Sequence, residues 1–188
     1  MAFLLKSARY LALDCHSRVI QPGDVVIDAT MGNGHDTCNL ARLVGERGQV
    51  IAFDVQLAAV EKTRELLNAE GLLDRCTLYC MGHEHVQEMV LSPVKLAVFN
   101  LGWLPGGDKS ITTRWETTQM AITGCLNLLM PGGVCTICVY PGHDEGTREL
   151  NELTSWLATY PPQAFNILQQ RFVNAGQGSP ECFILQKQ

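Results

Sequence analysis

Hydrophobic and polar positions along this chain follow a two-part rhythm. Short runs rich in β-branched and aromatic residues, VVIDA (25–29), QVIAFDV (49–55), CTLYC (76–80), LAVFNL (96–101) and GVCTICVY (133–140), have the length and content of buried strands. Each leads into a longer stretch with apolar residues at helical spacing, over about 36–44, 57–70, 84–91, 113–129 and 144–159. This βα order predicts a parallel sheet with helices on both faces. The end of the chain departs from it. FNILQQRFV (165–173) and CFILQK (182–187) are separated by NAGQGSPE, which leaves no room for a helix, so the two strands must pair antiparallel.

The N-terminal stretch MAFLLKSARYLALDC is partly apolar, but Lys6, Arg9 and Asp14 interrupt it at helical spacing. It reads as an amphipathic helix within residues 1–22 rather than a signal peptide. Its face of Phe3, Leu4, Tyr10 and Leu11 either pairs with a second copy, making a homodimer, or covers the sheet. The 188 residues are 46% apolar and 18% charged, the balance of a single globular domain spanning 1–188 with a sizeable core. No apolar run reaches the roughly 20 residues of a membrane span. The eight cysteines lie mostly within apolar runs, and without a secretory signal they read as reduced, buried thiols of a cytoplasmic protein. Cys135 and Cys138 point to opposite faces of a strand, and His83 and His85 lack partners at metal spacing, so no metal site is expected. A net charge of −5 argues against a broad nucleic-acid footprint but leaves room for a local basic patch.

The first strand ends in Asp28-Ala29-Thr30-Met31-Gly32-Asn33-Gly34-His35-Asp36-Thr37. Gly32 and Gly34 permit a tight bend and close approach of a ligand to the main chain, at the strand end where open α/β sheets bind ligands. As a G-x-G-x-x-G pattern the loop fails at Thr37. A pyrophosphate wants bare amides at a helix start, and Asp36 would repel it. S-adenosylmethionine carries a sulfonium and an ammonium and no phosphate, so Asp28 and Asp36 suit it, directly or through water. Asp36 also reads as an ordinary acid of a helix N-terminus. The second strand ends in Asp54, twenty residues after Gly34, placed to accept both ribose hydroxyls of an adenosine. Gln56 reaches the same nucleoside or caps a helix. After the third strand, Gly82 and His83 lie where an adenine ring would be bordered. Together with the terminal hairpin, these residues predict an α/β, Rossmann-like class I S-adenosylmethionine-dependent methyltransferase fold, its seven-stranded sheet mostly parallel with a C-terminal antiparallel hairpin.

The fourth strand ends in Asn100-Leu101-Gly102-Trp103, in the register of the Asn/Asp-Pro-Pro-aromatic loop of amino methyltransferases, with Leu101-Gly102 in place of the prolines. Asn100 can accept a hydrogen bond from an amine, and Trp103 can stack on a base; a turn residue and a core aromatic are the plainer readings. His143, after the fifth strand, is the candidate proton acceptor; a structural loop histidine is the equal alternative. Lys109 and Arg114, with Arg148, are either a modest basic patch for RNA phosphates or, the plainer reading, scattered solvated charge.

DATMGNGHDT, AFDVQ, GHEH, NLGWLPGGDKSITT and YPGHDEG, in this order, resemble the bacterial rRNA methylase family of the YtqB type, whose members act as tRNA 5-aminomethyl-2-thiouridine methyltransferases (MnmM). The resemblance runs from about Gly23 to the C-terminus. It implies S-adenosylmethionine as cofactor, held by Asn33, Asp36, Asp54, Gln56, Gly82 and His83. It also implies tRNA as partner, with the aminomethyl group of wobble uridine 34 converted to methylaminomethyl. The family often has tyrosine where Trp103 stands. A small-molecule or rRNA methyltransferase is the alternative function; a nicotinamide oxidoreductase is disfavoured by Thr37 and the hairpin.

Overall fold

The computed structural model describes residues 7–188. Its strands are β1 (Val25–Asp28), β2 (Gln49–Asp54), β3 (Cys76–Cys80), β4 (Val94–Asn100), β5 (Leu129–Val139), β6 (Phe165–Gln170) and β7 (Glu181–Lys187). The helices are α1 (Ala8–Val19), α2 (His35–Val44), α3 (Leu57–Ala69), α4 (Val86–Met89), α5 (Trp115–Leu128) and α6 (Asp144–Leu157). The strands form one sheet in the order β3-β2-β1-β4-β5-β7-β6. β1 to β5 are parallel, and β7 runs antiparallel to both β5 and β6. The chain therefore leaves the β1 position in one direction, through β2 to β3, and then crosses to β4 on the other side. This reversal opens a crevice at the carboxyl ends of β1 and β4, where doubly wound sheets take their ligands.

Strand alternation divides the core into two layers. Val26, Val50, Leu96, Val98 and Val134 face Leu40 and Val44 of α2 and Leu67 of α3. Their neighbours Ile27, Ile51, Ala97, Phe99 and Ile137 face Ile122 and Cys125 of α5 and Leu153 and Leu157 of α6. This is the period-two pattern of a sheet covered on both sides. Cys135 and Cys138 accordingly belong to different clusters on opposite faces, as their spacing requires.

Three elements depart most from the sequence expectation. The helix expected over 84–91 shrinks to a 3-10 turn, His83–His85, and the single turn of α4, because Val90 turns extended and is itself buried. β5 begins at Leu129 rather than 133, and its register against β4 shifts between Val94 and Leu96. The insertion is Met130-Pro131-Gly132-Gly133, a bulge in which Pro131 has no amide to pair and Gly132 takes a φ of 72°. β6 stops at Gln170, short of 173.

α1 packs on the sheet through Ala8, Ala12 and His16, against β5 and β7. His16 Nε2 lies 2.8 Å from Thr136 Oγ1 of β5. Within the described residues the helix thus covers the sheet. Phe3 and Leu4, half of the face expected to pair with a second copy, lie outside them.

Two buried ionisable groups load this fold in opposite senses. Asp28 is fully buried beneath the β1–α2 loop, where Oδ1 accepts the Thr30 amide at 3.3 Å and Oδ2 the Thr37 hydroxyl at 2.7 Å. Burial, reinforced by the nearby Asp36 charge, pushes its carboxyl up to about 7 from 3.8. Between those values the folded state holds a proton that the unfolded chain has released, so this group costs stability as pH rises. Burial lowers His16 from 6.5 to about 4. There the unfolded chain holds the extra proton, so stability grows as pH rises. Denaturant unfolding between about pH 4.5 and 6.5 should separate the two, since one proton corresponds to about 1.4 kcal/mol per pH unit. Relative to wild type, Asp28→Asn should gain stability with rising pH and His16→Gln should lose it. Curves that stay parallel to wild type would refute both assignments.

Candidate active site

A cavity of about 810 Å³ opens at the carboxyl edge of the sheet. Its floor is the loop from Ala29 to Asp36, and its sides come from the ends of β2 and β4, the His83–His85 turn, and the segment leading to α6.

The β1–α2 loop is pinned at several points. The Met31 amide donates to the Phe53 carbonyl at 3.0 Å. Asp54, at the end of β2, accepts the Gly32 amide through Oδ2 at 3.0 Å and the Gln56 amide through Oδ1 at 2.9 Å. Burial raises its pKa, opposed by these two bonds. The two glycines have different tasks. Gly32, at φ 51°, forms cavity wall. Gly34 lies behind the wall: its φ is 81°, and a Cβ there would come 2.8 Å from Thr63 Oγ1 and 3.0 Å from Thr63 Cα. Glycine is required there by the packing of α2 on α3. Asp28 likewise lies beneath the loop rather than in the wall, with both oxygens bonded inside the protein. Its expected contact with a bound cation is replaced by support of the Thr30–Thr37 bend. Asn33 lines the cavity and donates from Nδ2 to the Pro105 carbonyl at 3.3 Å. Gln56 and Gly82 also line it, and the Glu84 carboxylate folds against Gly82.

Asp36 sits in the first turn of α2, where the positive end of the helix favours an acid, and it is nearly buried. Its carboxylate accepts from three groups. Arg9 of α1 reaches it through Nε at 3.2 Å and also through Nη2, and Asn100 donates from Nδ2 at 2.9 Å. Because a carboxylate only accepts, this bond fixes the orientation of the Asn100 amide, leaving its Oδ1 as the free acceptor. The Asn100 backbone amide donates to Thr30 Oγ1 at 2.8 Å, tying β4 to the β1 loop. His83 is buried, and burial lowers its pKa. With Nδ1 3.2 Å from the Ala29 carbonyl, its proton sits on Nδ1 and Nε2 is an acceptor.

The loop beyond β4 carries Trp103 and Lys109 up to His143 at the start of α6. The Trp103 and His143 rings are 4.3 Å apart at a 40° tilt, and Lys109 Nζ lies 5.3 Å from the Trp103 ring centre. Trp103 and Arg114 line the cavity, whereas Lys109 stays outside the wall. Arg148 is committed elsewhere, paired with Glu116 at 2.5 Å and Glu145 at 3.5 Å. His143 is the N-cap of α6 and accepts the Gly146 amide through Nδ1 at 3.1 Å. That bond places the ring proton on Nε2 and leaves no free nitrogen to accept another. The proton-acceptor role expected of His143 is therefore corrected to capping α6 and packing against Trp103. Its Nε2 and Thr112 Oγ1 are buried without a protein partner.

Sequence reasoning missed Arg9, Tyr140 and Glu149 as site residues. Tyr140 ends the β5 segment in the cavity wall, and burial pushes its phenol up to about 12. Glu149 of α6 is fully buried, accepting the Thr113 hydroxyl at 2.7 Å and the Thr118 hydroxyl at 2.7 Å. Thr113 Oγ1 in turn accepts the Gly102 amide at 2.8 Å. A directed chain thus runs from Gly102, next to Trp103, to a carboxylate in the core. Glu149 was legible, since Gly146, Glu149, Leu153 and Leu157 form one buried stripe of α6. Arg9 gave no local signal, because its partner lies 27 residues away.

The chain matches the family model described as "Putative rRNA methylase" over residues 50–186. It is 39% identical over 166 residues to the chloroplastic tRNA (mnm(5)s(2)U34)-methyltransferase of Arabidopsis thaliana, covering 83% of this chain and 61% of that protein. The fold overlays on the "putative rRNA-methylase" of Clostridium thermocellum with a TM-score of 0.96 at 37% identity, over 98% of this chain and all of that one. A Streptococcus mutans "putative methyltransferase", crystallised with SAH, gives a TM-score of 0.90 at 33% identity, again over 98% of this chain and all of that one. The chain belongs to this rRNA methylase family and has the Rossmann-like class I methyltransferase fold.

Proposed function

We propose that this protein is an S-adenosylmethionine-dependent tRNA methyltransferase that methylates the aminomethyl group of 5-aminomethyl-2-thiouridine at the wobble position, in a cytoplasm. The observation that carries the reading is the set of donors around the cavity. Asp36 and Asp54 line a largely apolar pocket at the switch point of the sheet, and of the two arginines among its described lining residues, Arg9 and Arg114, Arg9 is paired with Asp36 rather than free for a pyrophosphate. That set fits a cationic adenosine derivative. Asp54 and Gln56 would hold the ribose, Gly82 and His83 the adenine edge, and Gly32, Asn33 and Asp36 the amino-acid end. When bound, the cofactor supplies a methyl carbon made electrophilic by a positive sulfur.

The chain's own part is positioning and desolvation, which supply most of the acceleration in such displacements. Asn100 Oδ1, aimed by the Asp36 bond, accepts a hydrogen bond from the substrate amine. Apolar Leu101, Leu104 and Ile111 in the wall disfavour the ammonium form and so favour the nucleophilic one. Trp103 offers a stacking surface for an extruded base. Lys109 and Arg114 stand at the rim for phosphates. Eight unpaired thiols suit a reducing compartment. The 39% identity to a wobble-uridine enzyme supports the tRNA substrate, although this chain spans 61% of that protein's length.

Incubation with labelled cofactor and tRNA bearing 5-aminomethyl-2-thiouridine, followed by nucleoside mass spectrometry, should show one methyl added to that nucleoside. Incorporation into ribosomal RNA or a small amine alone would overturn the substrate assignment. Asp54→Ala should weaken cofactor binding by calorimetry about 10- to 100-fold, since it loses hydrogen bonds to a charged acceptor. An unchanged affinity would remove Asp54 from the site. Trp103→Ala should raise the KM for tRNA by roughly 5- to 100-fold, the range of one base stack. Lys109→Ala should lower the salt dependence of tRNA binding by about one phosphate contact.

A further inference from the structure

Arg9 lies outside every motif that marks the cavity, yet its guanidinium makes the one ion pair to Asp36 among the described residues. α1 has contacts besides that pair to hold its place. Ala8, Ala12 and His16 seat the helix on β5 and β7, and His16 bonds Thr136. The helix therefore holds Arg9 over the carboxyl edge of the sheet. There its side chain is 34% exposed and lines the cavity, while that of Asp36 is 8% exposed. The fork uses Nε and Nη2, and a guanidinium has five donors, so it can serve a second carboxylate beside the first.

We infer that the Arg9–Asp36 pair is the receptor for a zwitterionic α-amino acid end, Arg9 taking the ligand's carboxylate and Asp36 its ammonium. This rests on the reading of the cavity as an S-adenosylmethionine site. The electrostatics favour this exchange over simple displacement. A ligand bringing only positive charge to Asp36 would strip Arg9 of its partner and leave a half-buried cation uncompensated. A ligand bringing one charge of each sign replaces a single internal pair with two cross pairs and leaves the net charge of the pocket unchanged. A neutral nucleoside leaves the pair as it is. The arrangement thus selects for an intact amino-acid end, and it does so from a helix that precedes the whole βα framework.

The test is calorimetric binding of three ligands, S-adenosylmethionine, its decarboxylated analogue and 5′-methylthioadenosine, to wild type, Arg9→Met and Arg9→Lys. Arg9→Met keeps an apolar stem, and circular dichroism melts check that α1 remains docked. Arg9→Met should weaken S-adenosylmethionine roughly 10- to 100-fold, the loss of charge-assisted hydrogen bonds, leave 5′-methylthioadenosine within about threefold, and tighten the decarboxylated analogue, which no longer has to displace Arg9 from Asp36. Arg9→Lys, which keeps charge but not the fork, should fall between. Equal weakening of all three ligands by both variants, or tighter S-adenosylmethionine binding by Arg9→Met, would overturn the inference. The latter would make Arg9 a competitor for Asp36. Wild type that binds none of the three would instead refute the cofactor reading on which the inference stands.

Discussion

A carboxylate in the first turn of α2, almost wholly removed from water, is the constraint around which this site is organised. Asp36 would be costly to bury alone, because an unpaired charge in a protein interior loses several kcal/mol of solvation. Three elements meet that cost. The α2 N-terminus contributes its amide dipoles, Asn100 at the end of β4 contributes a side-chain donor, and Arg9 of α1 contributes a full positive charge. The same contacts orient what they touch. Asn100 has only one amide orientation compatible with Asp36, and this turns its carbonyl oxygen to the acceptor side. One acid therefore sets the geometry of both the α2 side and the β4 side of the cavity.

The three acids of this sheet edge show how environment separates like residues. Asp28 has a hydroxyl and an amide as partners and no cation, and its pKa rises to about 7. Asp54 is less buried and bridges two backbone amides, so it shifts upward for the same reason, opposed by those bonds. Asp36 alone has a guanidinium. Asp28 is raised in part by Asp36 and Asp54, whose charges oppose its ionisation. A cation entering beside Asp36 or near Asp54 relieves that repulsion. The pocket thus favours positive ligands through its ground-state electrostatics as well as through individual contacts.

Most of this architecture was legible in the sequence, because the sheet depends on short-range pattern. All seven strands and the antiparallel hairpin follow from β-branched runs and connection lengths. The boundaries that moved did so where tertiary contacts outweigh local periodicity. Val90 is drawn into the core and cuts α4 short, and the Pro131–Gly133 bulge lets β5 begin before its regular run. Within the site, the residues on the strand-end loops were found because loop position and chemistry coincide there. Asp28 and Gly34 carry the right residue types, but they face Thr37 and Thr63 instead of the cavity, and no spacing rule distinguishes those faces. Nor does any one-dimensional pattern connect Arg9 to Asp36. A pairing across 27 residues depends on where α1 docks, which is set by Ala8, Ala12 and His16 against strands more than a hundred residues further on.

The acceptor side raises the question of how an acidic chain would manage an RNA substrate. Its rim offers few free cations, since Arg148 is tied to Glu116 and Glu145 and Lys109 already lies close to Trp103. Phosphate contacts alone would give weak, salt-sensitive binding. What the structure invests in is the rigidity of the loop that carries Trp103. Thr113 accepts the Gly102 amide and donates to Glu149, and Thr118 donates to the other Glu149 oxygen. A buried carboxylate with no counter-cation is an expensive anchor, and burial raises its pKa accordingly. Such an anchor is worth its cost only where position matters more than stability, because two hydroxyls directed at one acid define the loop more narrowly than apolar packing would. With a preorganised aromatic surface, the energy of capturing one extruded base need not be spent on ordering the loop. Under the proposed function, recognition would then fall on the base and its amine, with the modest charge of the rim bringing the strand within reach.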